Sequence, residues 1–235
     1  MTNTKLEILL DKIARTLLYY SPFRHFVLYK YRYAFSPLQY CKLIEIANKA
    51  SEVEGDFIEV GCYRGYTTVI LNKHIDDLGH KRRYYAVDTF GGFTSSSVEH
   101  EINKRNKKST KDKRSFNKFT VNAKKWFDMT MKLNSITRVI TIKENAENLD
   151  HVIDSIDKLC FAFIDVDLYQ PTLLALNSVY GKMNWGGHIV VDDCAENHTY
   201  DGSRQALEDF CNSKNLSFEI AREKLGVVKI GLQPV

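Results

Sequence analysis

The sequence predicts an α/β fold with a mostly parallel β-sheet and helices on both of its faces. From residue 56 onward, short apolar runs alternate with stretches of helical periodicity, which is the pattern of strand–helix–strand crossovers. The length of 235 residues suits one domain of this class, and 44% hydrophobic residues supply its core. Two of the apolar runs end in paired aspartates, at the sheet edge where such folds bind ligands.

Residues 1–50 are predicted to form a helical extension, and residues 51–235 the main domain. Apolar residues recur at helical spacing near the start of the chain: Leu6, Leu9, Leu10, Ile13, Leu17 and Leu18. This first helix either packs on its own domain or serves a membrane surface or a homodimer interface. A second helix is predicted with Ser36 as its N-cap and Pro37 in its first turn.

The main domain contains five predicted strands, namely DFIEV, RYYAVD, RVITI, CFAFID and HIVVDD. The helical stretches between them are TTVILNKHIDDL, ENLDHVIDSIDKL and PTLLALNSVYGKM. The connection over about residues 94–135 is far longer than usual between strands, and we interpret it as a lid insertion. Its first half is strongly basic, which indicates either a site for a substrate phosphate or a solvated charged face.

Composition and charge narrow the class of protein only in part. The net charge of +4 is mild and comes largely from the basic run, so it says little about partners. No DNA partner is expected. The five cysteines are widely spaced and lack metal-ligand spacing, which indicates reduced thiols. No stretch approaches the roughly 20 apolar residues of a membrane span, and the N-terminal stretch lacks a signal-peptide core. We therefore expect a cytoplasmic protein without a transmembrane segment.

The turn after the first strand, EVGCYRGYTT, contains two glycines and opens a helix. Gly61 and Gly65 would let the backbone approach a ligand, and Thr67 and Thr68 begin a helix whose amides favour an anion. The signal is weak alone, because any tight strand-to-helix turn uses glycines. Asp88 ends the second strand, where an acid can accept hydrogen bonds from both hydroxyls of a ribose, although it could also serve as a turn former. Together these residues predict a ligand that contains adenosine.

Four carboxylates follow the two strands that end in acidic pairs. Asp165, Asp167, Asp192 and Asp193 should meet at the carboxyl edge of the sheet, where they raise one another's pKa unless a cation intervenes. Mg²⁺ suits oxygen ligands and leaves positions for a substrate. Alternatively, one aspartate caps a helix or pairs with Arg204. Zinc is disfavoured because no histidine or cysteine stands at ligand spacing.

These residues carry a resemblance to a known family. GDFIEVGCYRGYTT, YAVDTFGGF, FIDVDLYQPT, GGHIVVDDC and GSRQALEDF resemble the macrocin-type sugar O-methyltransferases, over roughly residues 50–215. The most specific part is DxDLYxxT followed by GGxxxVDD. The resemblance implies a Rossmann-like class I methyltransferase fold with a seven-stranded, mostly parallel sheet. It also implies S-adenosylmethionine as the methyl donor and Mg²⁺ or another divalent cation as the metal.

The resemblance also assigns roles to residues. It places the metal on Asp165, Asp192 and Asp193, and it makes Asp165 the catalytic base. His198 is a second candidate for the base. Catechol-type relatives carry a lysine where this chain has Leu168, which argues against their mechanism. The implied cofactor site comprises Glu59, Gly61, Tyr63, Gly65, Thr67, Thr68, Asp88, Glu144 and Asn145.

The function predicted from these features is methylation of a hydroxyl on a sugar or on a glycosylated small molecule. In-line methyl transfer needs alignment of donor and acceptor and removal of the acceptor's proton, which a metal and a carboxylate can provide. Trp126 and Phe127 are predicted to cover the sulfonium from the insertion. The alternatives are a catechol or phenolic O-methyltransferase, an RNA methyltransferase, or a binding module without catalysis. A NAD-dependent oxidoreductase is disfavoured because GxGxxG is absent.

Overall fold

We describe a computed structural model of the chain. It describes residues 3–24, 31, 35–107, 116–117, 119–196 and 201–231, with no side-chain description for residues 3–5. Compactness divides the chain into two units, Met1–Ser36 and Pro37–Val235. The prediction had drawn this boundary after residue 50.

The second unit is built on one seven-stranded sheet with the strand order β3-β2-β1-β4-β5-β7-β6. Strands β1 to β5 are parallel, whereas β7 is antiparallel to both β5 and β6. The strands are β1 (Asp56–Val60), β2 (Tyr84–Asp88), β3 (Val139–Lys143), β4 (Leu159–Ile164), β5 (Met183–Val191), β6 (Glu219–Ala221) and β7 (Leu225–Lys229). The mostly parallel, seven-stranded Rossmann-like sheet that the sequence predicts is therefore confirmed.

Eight α-helices occur in the described residues. They are α1 (Asn3–Tyr20), α2 (Pro37–Ala50), α3 (Tyr66–Asp77), α4 (Ser95–Asn103), α5 (Lys124–Leu133), α6 (Leu149–Asp154), α7 (Tyr169–Tyr180) and α8 (Gly202–Lys214). Helix α1 belongs to the first unit, and its apolar residues from Leu6 to Leu18 are exposed. No helix among the described residues is long and apolar enough to cross a membrane.

The central strands of the sheet are buried because helices cover both of its faces. On one face, alternate residues such as Ile58 and Val60 of β1 join a core cluster with apolar side chains of α6, α7 and α8. Helix α7 buries Thr172, Ala175, Leu176 and Val179, which recur at the spacing of one helical stripe. On the other face, Thr68 of α3 reaches Glu59 of β1. All six residues of the central strand β4 are buried.

Candidate active site

The turn after β1 lies at the centre of the sheet, where the connections from β1 and β4 lead in opposite directions. Such a switch point is the usual ligand-binding position in an open α/β sheet. Gly61 has a φ of 91°, and a Cβ added there would lie 1.9 Å from the carbonyl oxygen of Asp165. No other residue fits without moving the backbone of β1 or β4. The glycine turn therefore directly contacts the first predicted metal ligand.

The rest of this turn rests on helix α5. Gly65, with a φ of 81°, is the N-cap of α3 and lacks a side-chain cap. A Cβ on Gly65 would come within 2.7 Å of Met131 and 3.0 Å of Phe127. Phe127 is fully buried, whereas Trp126 is 48% exposed. Phe127 therefore packs against the turn in the interior of the protein. This corrects the prediction that it covers the sulfonium.

Tyr63 takes part in this turn through its backbone. Its φ of 45° is left-handed, and its carbonyl oxygen accepts a hydrogen bond of 2.9 Å from Nδ2 of Asn122. Its ring packs edge-on against Phe119 at a centroid distance of 5.3 Å. Two parts of the predicted insertion, α5 and the residues just before it, therefore fix the shape of the turn.

Asp88 joins the same turn to the end of β2. Its Oδ2 accepts a hydrogen bond of 2.7 Å from the Tyr63 amide, and its Oδ1 accepts one of 2.6 Å from the Phe90 amide. Burial raises the pKa of Asp88, although these amides oppose the shift. The turn-forming role is therefore present. A carboxylate can accept about four hydrogen bonds, so a hydrogen bond to a ribose is compatible with this role.

Glu59 is a buried carboxyl beneath the turn. Its Oε2 accepts hydrogen bonds from the hydroxyls of Thr68, at 2.6 Å, and Tyr84, at 2.8 Å. Burial raises the pKa of Glu59 to about 7, because desolvation outweighs the hydrogen bonds from Thr68 and Tyr84. The sequence predicts Glu59 and Thr68 as cofactor residues but gives no sign of their mutual contact. The pairing connects the floor of the turn to the first turn of α3.

The raised pKa of Glu59 makes stability depend on pH. The native pKa of about 7 exceeds the ordinary value of 4.5, so the folded state binds more protons between these values and stability falls as pH rises through them. Glu59→Gln lacks the titrating carboxyl and should not show this loss. The free energy of unfolding of the variant minus that of wild type should therefore increase by about 2 kcal/mol from pH 5 to pH 8, as measured by urea unfolding. The exposed control Glu52→Gln should show no such change, and an equal difference for Glu59→Gln at both pH values would contradict the assignment.

Glu144 and Asn145 form a small turn beside Asp88. The Glu144 amide donates to the Asp88 carbonyl oxygen at 3.1 Å, which continues the pairing of β2 with β3. Oε1 of Glu144 accepts a hydrogen bond of 2.9 Å from the Asn145 amide. The Asn145 side chain caps the 3₁₀-helix Ala146–Asn148. Both residues therefore lie at the same edge as the glycine turn, next to the predicted ribose acid.

The four aspartates meet at the carboxyl ends of β4 and β5. The register pairs Ile164 with Val191, so Asp165 and Asp192 follow neighbouring positions. Asp167 and Asp193 both have left-handed backbones, with φ of 62° and 57°, where the chain turns away from the sheet. We call Asp165, Asp167, Asp192 and Asp193 the acidic cluster.

Three members of the acidic cluster are buried, Asp165 is partly buried, and all four are electrostatically crowded. The pKa of Asp165 lies well above its usual value, first because of burial and then because of repulsion from Asp192, Asp167 and Asp193. Burial and the neighbouring Asp193 raise the pKa of Asp192 to about 7, against the opposing effect of Lys224. The four carboxylates therefore lie near enough to one another at this edge of the sheet to repel each other.

Lys224 is a member of the site that sequence reasoning missed. Its Nζ lies 2.7 Å from Oδ2 of Asp192 and 3.4 Å from Oδ1 of Asp193. Lys224 precedes β7, and because β7 is antiparallel to β5, the turn before β7 lies at the carboxyl end of β5. Arg204, the cation suggested from sequence, instead bonds to Glu208 at 2.9 Å.

The helix-capping alternative receives no support at Asp167. Helix α7 has Leu168 at its N-cap position and no side-chain cap hydrogen bond. Leu168 itself is buried and packs in a small apolar cluster with Phe116. The position that carries a lysine in catechol-type relatives is therefore an apolar packing position here. His198, the second candidate for the base, lies outside the described residues.

Ion pairs connect the basic insertion to the start of helix α8. Arg105 contacts Glu101 at 2.8 Å and Asp201 at 2.9 Å, and Lys107 contacts Asp201 at 2.8 Å. Glu101 also accepts a hydrogen bond of 2.8 Å from the Tyr169 amide at the start of α7. These two basic residues are therefore occupied by acids of the protein, while residues 108–115 lie outside the described part of the chain.

The donor set fits a hard divalent cation in its chemistry. Four carboxylates follow the ends of two neighbouring strands, one ammonium group contacts two of them, and Oδ1 of Asp192 is buried without a hydrogen-bond partner in the described chain. As the side chains stand, no three acidic, histidine or cysteine residues in the described ranges converge closely enough to hold one ion. Lys224 bridges two of the three implied ligands.

Comparison with known proteins identifies the family of the chain. Residues 38–227 match the family model of macrocin O-methyltransferase (TylF), which spans most of the chain. The chain belongs to this family. As a member of the macrocin O-methyltransferase family, it is an S-adenosylmethionine-dependent O-methyltransferase. A comparison with curated proteins gives no match.

Solved structures share the fold of this macrocin O-methyltransferase family member. The O-methyltransferase NovP has 15% identity and a TM-score of 0.66 over 82% of this chain and 79% of its own. The calicheamicin methyltransferase CalS11 has 14% identity and a TM-score of 0.66 over the same shares. TomG from Streptomyces achromogenes, solved with S-adenosylmethionine, has 13% identity and a TM-score of 0.55 over 89% and 86% of the two chains.

Proposed function

We propose that this enzyme methylates a hydroxyl of a sugar or of a glycosylated small molecule and that it requires Mg²⁺ or a similar divalent cation. One observation carries the proposal: the glycine turn and the acidic cluster touch, because Gly61 leaves no room for a Cβ beside the Asp165 carbonyl. A methyl donor in the turn and an acceptor at the cluster would therefore be neighbours. CalS11 is described as a TDP-rhamnose 3'-O-methyltransferase, which supports a sugar acceptor.

The proposed cofactor site surrounds the turn after β1. S-adenosylmethionine would lie over Gly61, Tyr63 and Gly65, with the amides at the start of α3, near Thr67 and Thr68, directed at its carboxylate. The ribose would pair with Asp88, and the adenine would lie beside Glu144 and Asn145. Glu59 would hold the amino group of the methionine portion of the cofactor, directly or through a water molecule.

The proposed role of Asp88 leads to a test of cofactor affinity. Asp88→Asn should weaken S-adenosylhomocysteine binding by about tenfold to a hundredfold, because a charged acceptor for the ribose hydroxyls is lost. Asp56→Asn is a matched control, since Asp56 also accepts an amide hydrogen bond, from Arg83 at 3.0 Å, at the opposite end of β1. Titration calorimetry on both variants gives the comparison, and an unchanged affinity in Asp88→Asn would remove the ribose assignment.

Asp165 is the proposed proton acceptor, with Asp192 and Asp193 as further proposed metal ligands. Burial, and then repulsion from the neighbouring carboxylates, raises the pKa of Asp165, which makes its ionised form a stronger base. When bound, Mg²⁺ would lower the pKa of a coordinated hydroxyl and orient it. His198 remains the second proposed base.

The phenolic alternative has less support than the sugar acceptor. Leu168, buried in an apolar cluster, occupies the place where catechol-type relatives carry a lysine. The basic residues that could have favoured RNA are partly neutralised, because Arg105 and Lys107 pair with acids of the chain. A small-molecule acceptor is therefore proposed as the partner. Cytoplasmic location is also proposed, since all five cysteines are free thiols.

An acceptor screen tests the proposed function. Transfer of a labelled methyl group from S-adenosylmethionine should be measured with nucleotide-linked sugars, glycosides, catechols and RNA, each with EDTA and with added Mg²⁺. We expect transfer to a sugar hydroxyl that EDTA abolishes and Mg²⁺ restores. Transfer only to catechols or RNA would overturn the acceptor class, and transfer to a sugar that EDTA leaves unchanged would overturn the metal requirement.

A further inference from the structure

We propose that the Lys224 ammonium group and a divalent cation compete for the same carboxylates, so that the free enzyme binds its metal weakly until Lys224 moves aside. This inference rests on the proposed function, because it assumes a metal site on Asp165, Asp192 and Asp193. It goes further by giving a specific residue of this chain control over metal loading.

The position of the ammonium group is the first argument. Nζ of Lys224 lies 2.7 Å from Asp192 and 3.4 Å from Asp193, so one cation already bridges the two adjacent carboxylates. All three side chains are shielded from solvent, with exposed fractions of 14% for Lys224, 4% for Asp192 and 11% for Asp193. Water therefore screens the pair weakly, and two cations drawn to the same oxygens would repel each other strongly.

Lys224 leaves one carboxylate oxygen of the acidic cluster without a hydrogen-bond partner. Oδ1 of Asp192 is buried and has no hydrogen-bond partner in the described part of the chain. Buried polar atoms of this kind usually indicate a missing partner, such as an ion or a water molecule. The ammonium group thus balances part of the cluster's charge but leaves this oxygen without a partner. A divalent ion would supply both the charge and the missing ligand contact.

Only the side chain of Lys224 has to move for the carboxylates to be released. The backbone of Lys224 is fixed, because its carbonyl oxygen accepts a hydrogen bond of 2.8 Å from the Cys194 amide. The turn before it contains Arg222 and Glu223 with left-handed φ of 48° and 71°. Release of the carboxylates therefore requires only rotation of the flexible Lys224 side chain. An acceptor whose oxygens complete the metal's coordination would help to drive that exchange.

Mn²⁺ binding to three proteins tests the competition. Free Mn²⁺ can be followed by electron paramagnetic resonance with wild type, Lys224→Met and the control Lys229→Met, which alters the exposed far end of β7. We expect Lys224→Met to bind Mn²⁺ at least about tenfold more tightly than wild type, and Lys229→Met to match wild type. Equal or weaker binding by Lys224→Met, with measurable binding by wild type, would overturn the competition and leave the metal proposal intact. If none of the three proteins bound Mn²⁺, both proposals would fail.

A second measurement on wild type alone avoids any folding defect of the variant. Lysine acylation by an activated ester, read by mass spectrometry, reports how accessible each amine is. Saturating Mg²⁺ should increase acylation of Lys224 several-fold while Lys229 stays constant, because the metal displaces the ammonium group. Unchanged or reduced acylation of Lys224 at saturating Mg²⁺ would contradict the proposal.

Discussion

Asp165→Asn is expected to lower the rate of methyl transfer by about a thousandfold while leaving S-adenosylhomocysteine affinity within about twofold. Asp165 follows the central strand β4, and its pKa is raised by burial and by three neighbouring carboxylates. Asparagine keeps the shape of the side chain but removes both the basic oxygen and one negative charge. The loss should therefore appear in the chemical step rather than in cofactor binding.

Asp157→Asn is the matched control for this variant. Asp157 is exposed and precedes β4, so it stands at the opposite end of the same strand. The rate of methyl transfer by Asp157→Asn should equal that of wild type. Single-turnover kinetics separate the chemical step from product release, and calorimetry gives the cofactor affinity. If Asp165→Asn retained a rate near that of wild type, the assignment of Asp165 as base and ligand would be wrong.

Gly61→Ala is expected to destabilise the fold by more than about 3 kcal/mol and to abolish cofactor binding. A φ of 91° already strains alanine by about 1–2 kcal/mol. The added Cβ would also lie 1.9 Å from the Asp165 carbonyl oxygen, so β1 and β4 must separate at the centre of the sheet. Overlap of this kind in a packed interior adds about 1–3 kcal/mol.

Gly79→Ala isolates the contribution of backbone strain. Gly79 has a φ of 71°, but a Cβ there would meet nothing within 4 Å. This control should cost only about 1 kcal/mol, as measured by urea unfolding. Equal costs for the two variants would show that the contact between the glycine turn and Asp165 is not tight, and the proximity of donor and acceptor would lose its main support.

The five parallel strands were predictable because each is a compact apolar run between helical stretches. The convergence of the acidic cluster was predictable for the same reason, since parallel neighbours end at one edge. Strands β6 and β7 were not among the predicted strands. Strand β6 has three residues, Glu219–Ala221, and it pairs only with β7, so its pattern is too short to recognise.

The role of Lys224 could not be read from sequence because it depends on the antiparallel direction of β7. Reversing one strand moves the preceding turn to the opposite edge of the sheet, and periodicity gives no direction. Phe127 illustrates the opposite error. An aromatic residue on an amphipathic helix predicted a side chain that covers the cofactor. Phe127 is instead buried against Gly65, which has no Cβ to take up that space.

The metal position in crystals of the enzyme tests the central claim most directly. Crystals grown with Mn²⁺ and S-adenosylhomocysteine should give one strong anomalous difference peak, roughly 2 Å from oxygens of Asp165, Asp192 and Asp193 and beside the turn at Gly61. The ammonium group of Lys224 should then lie outside the coordination sphere. No peak at the acidic cluster at saturating Mn²⁺, or a peak remote from the bound cofactor, would contradict the account.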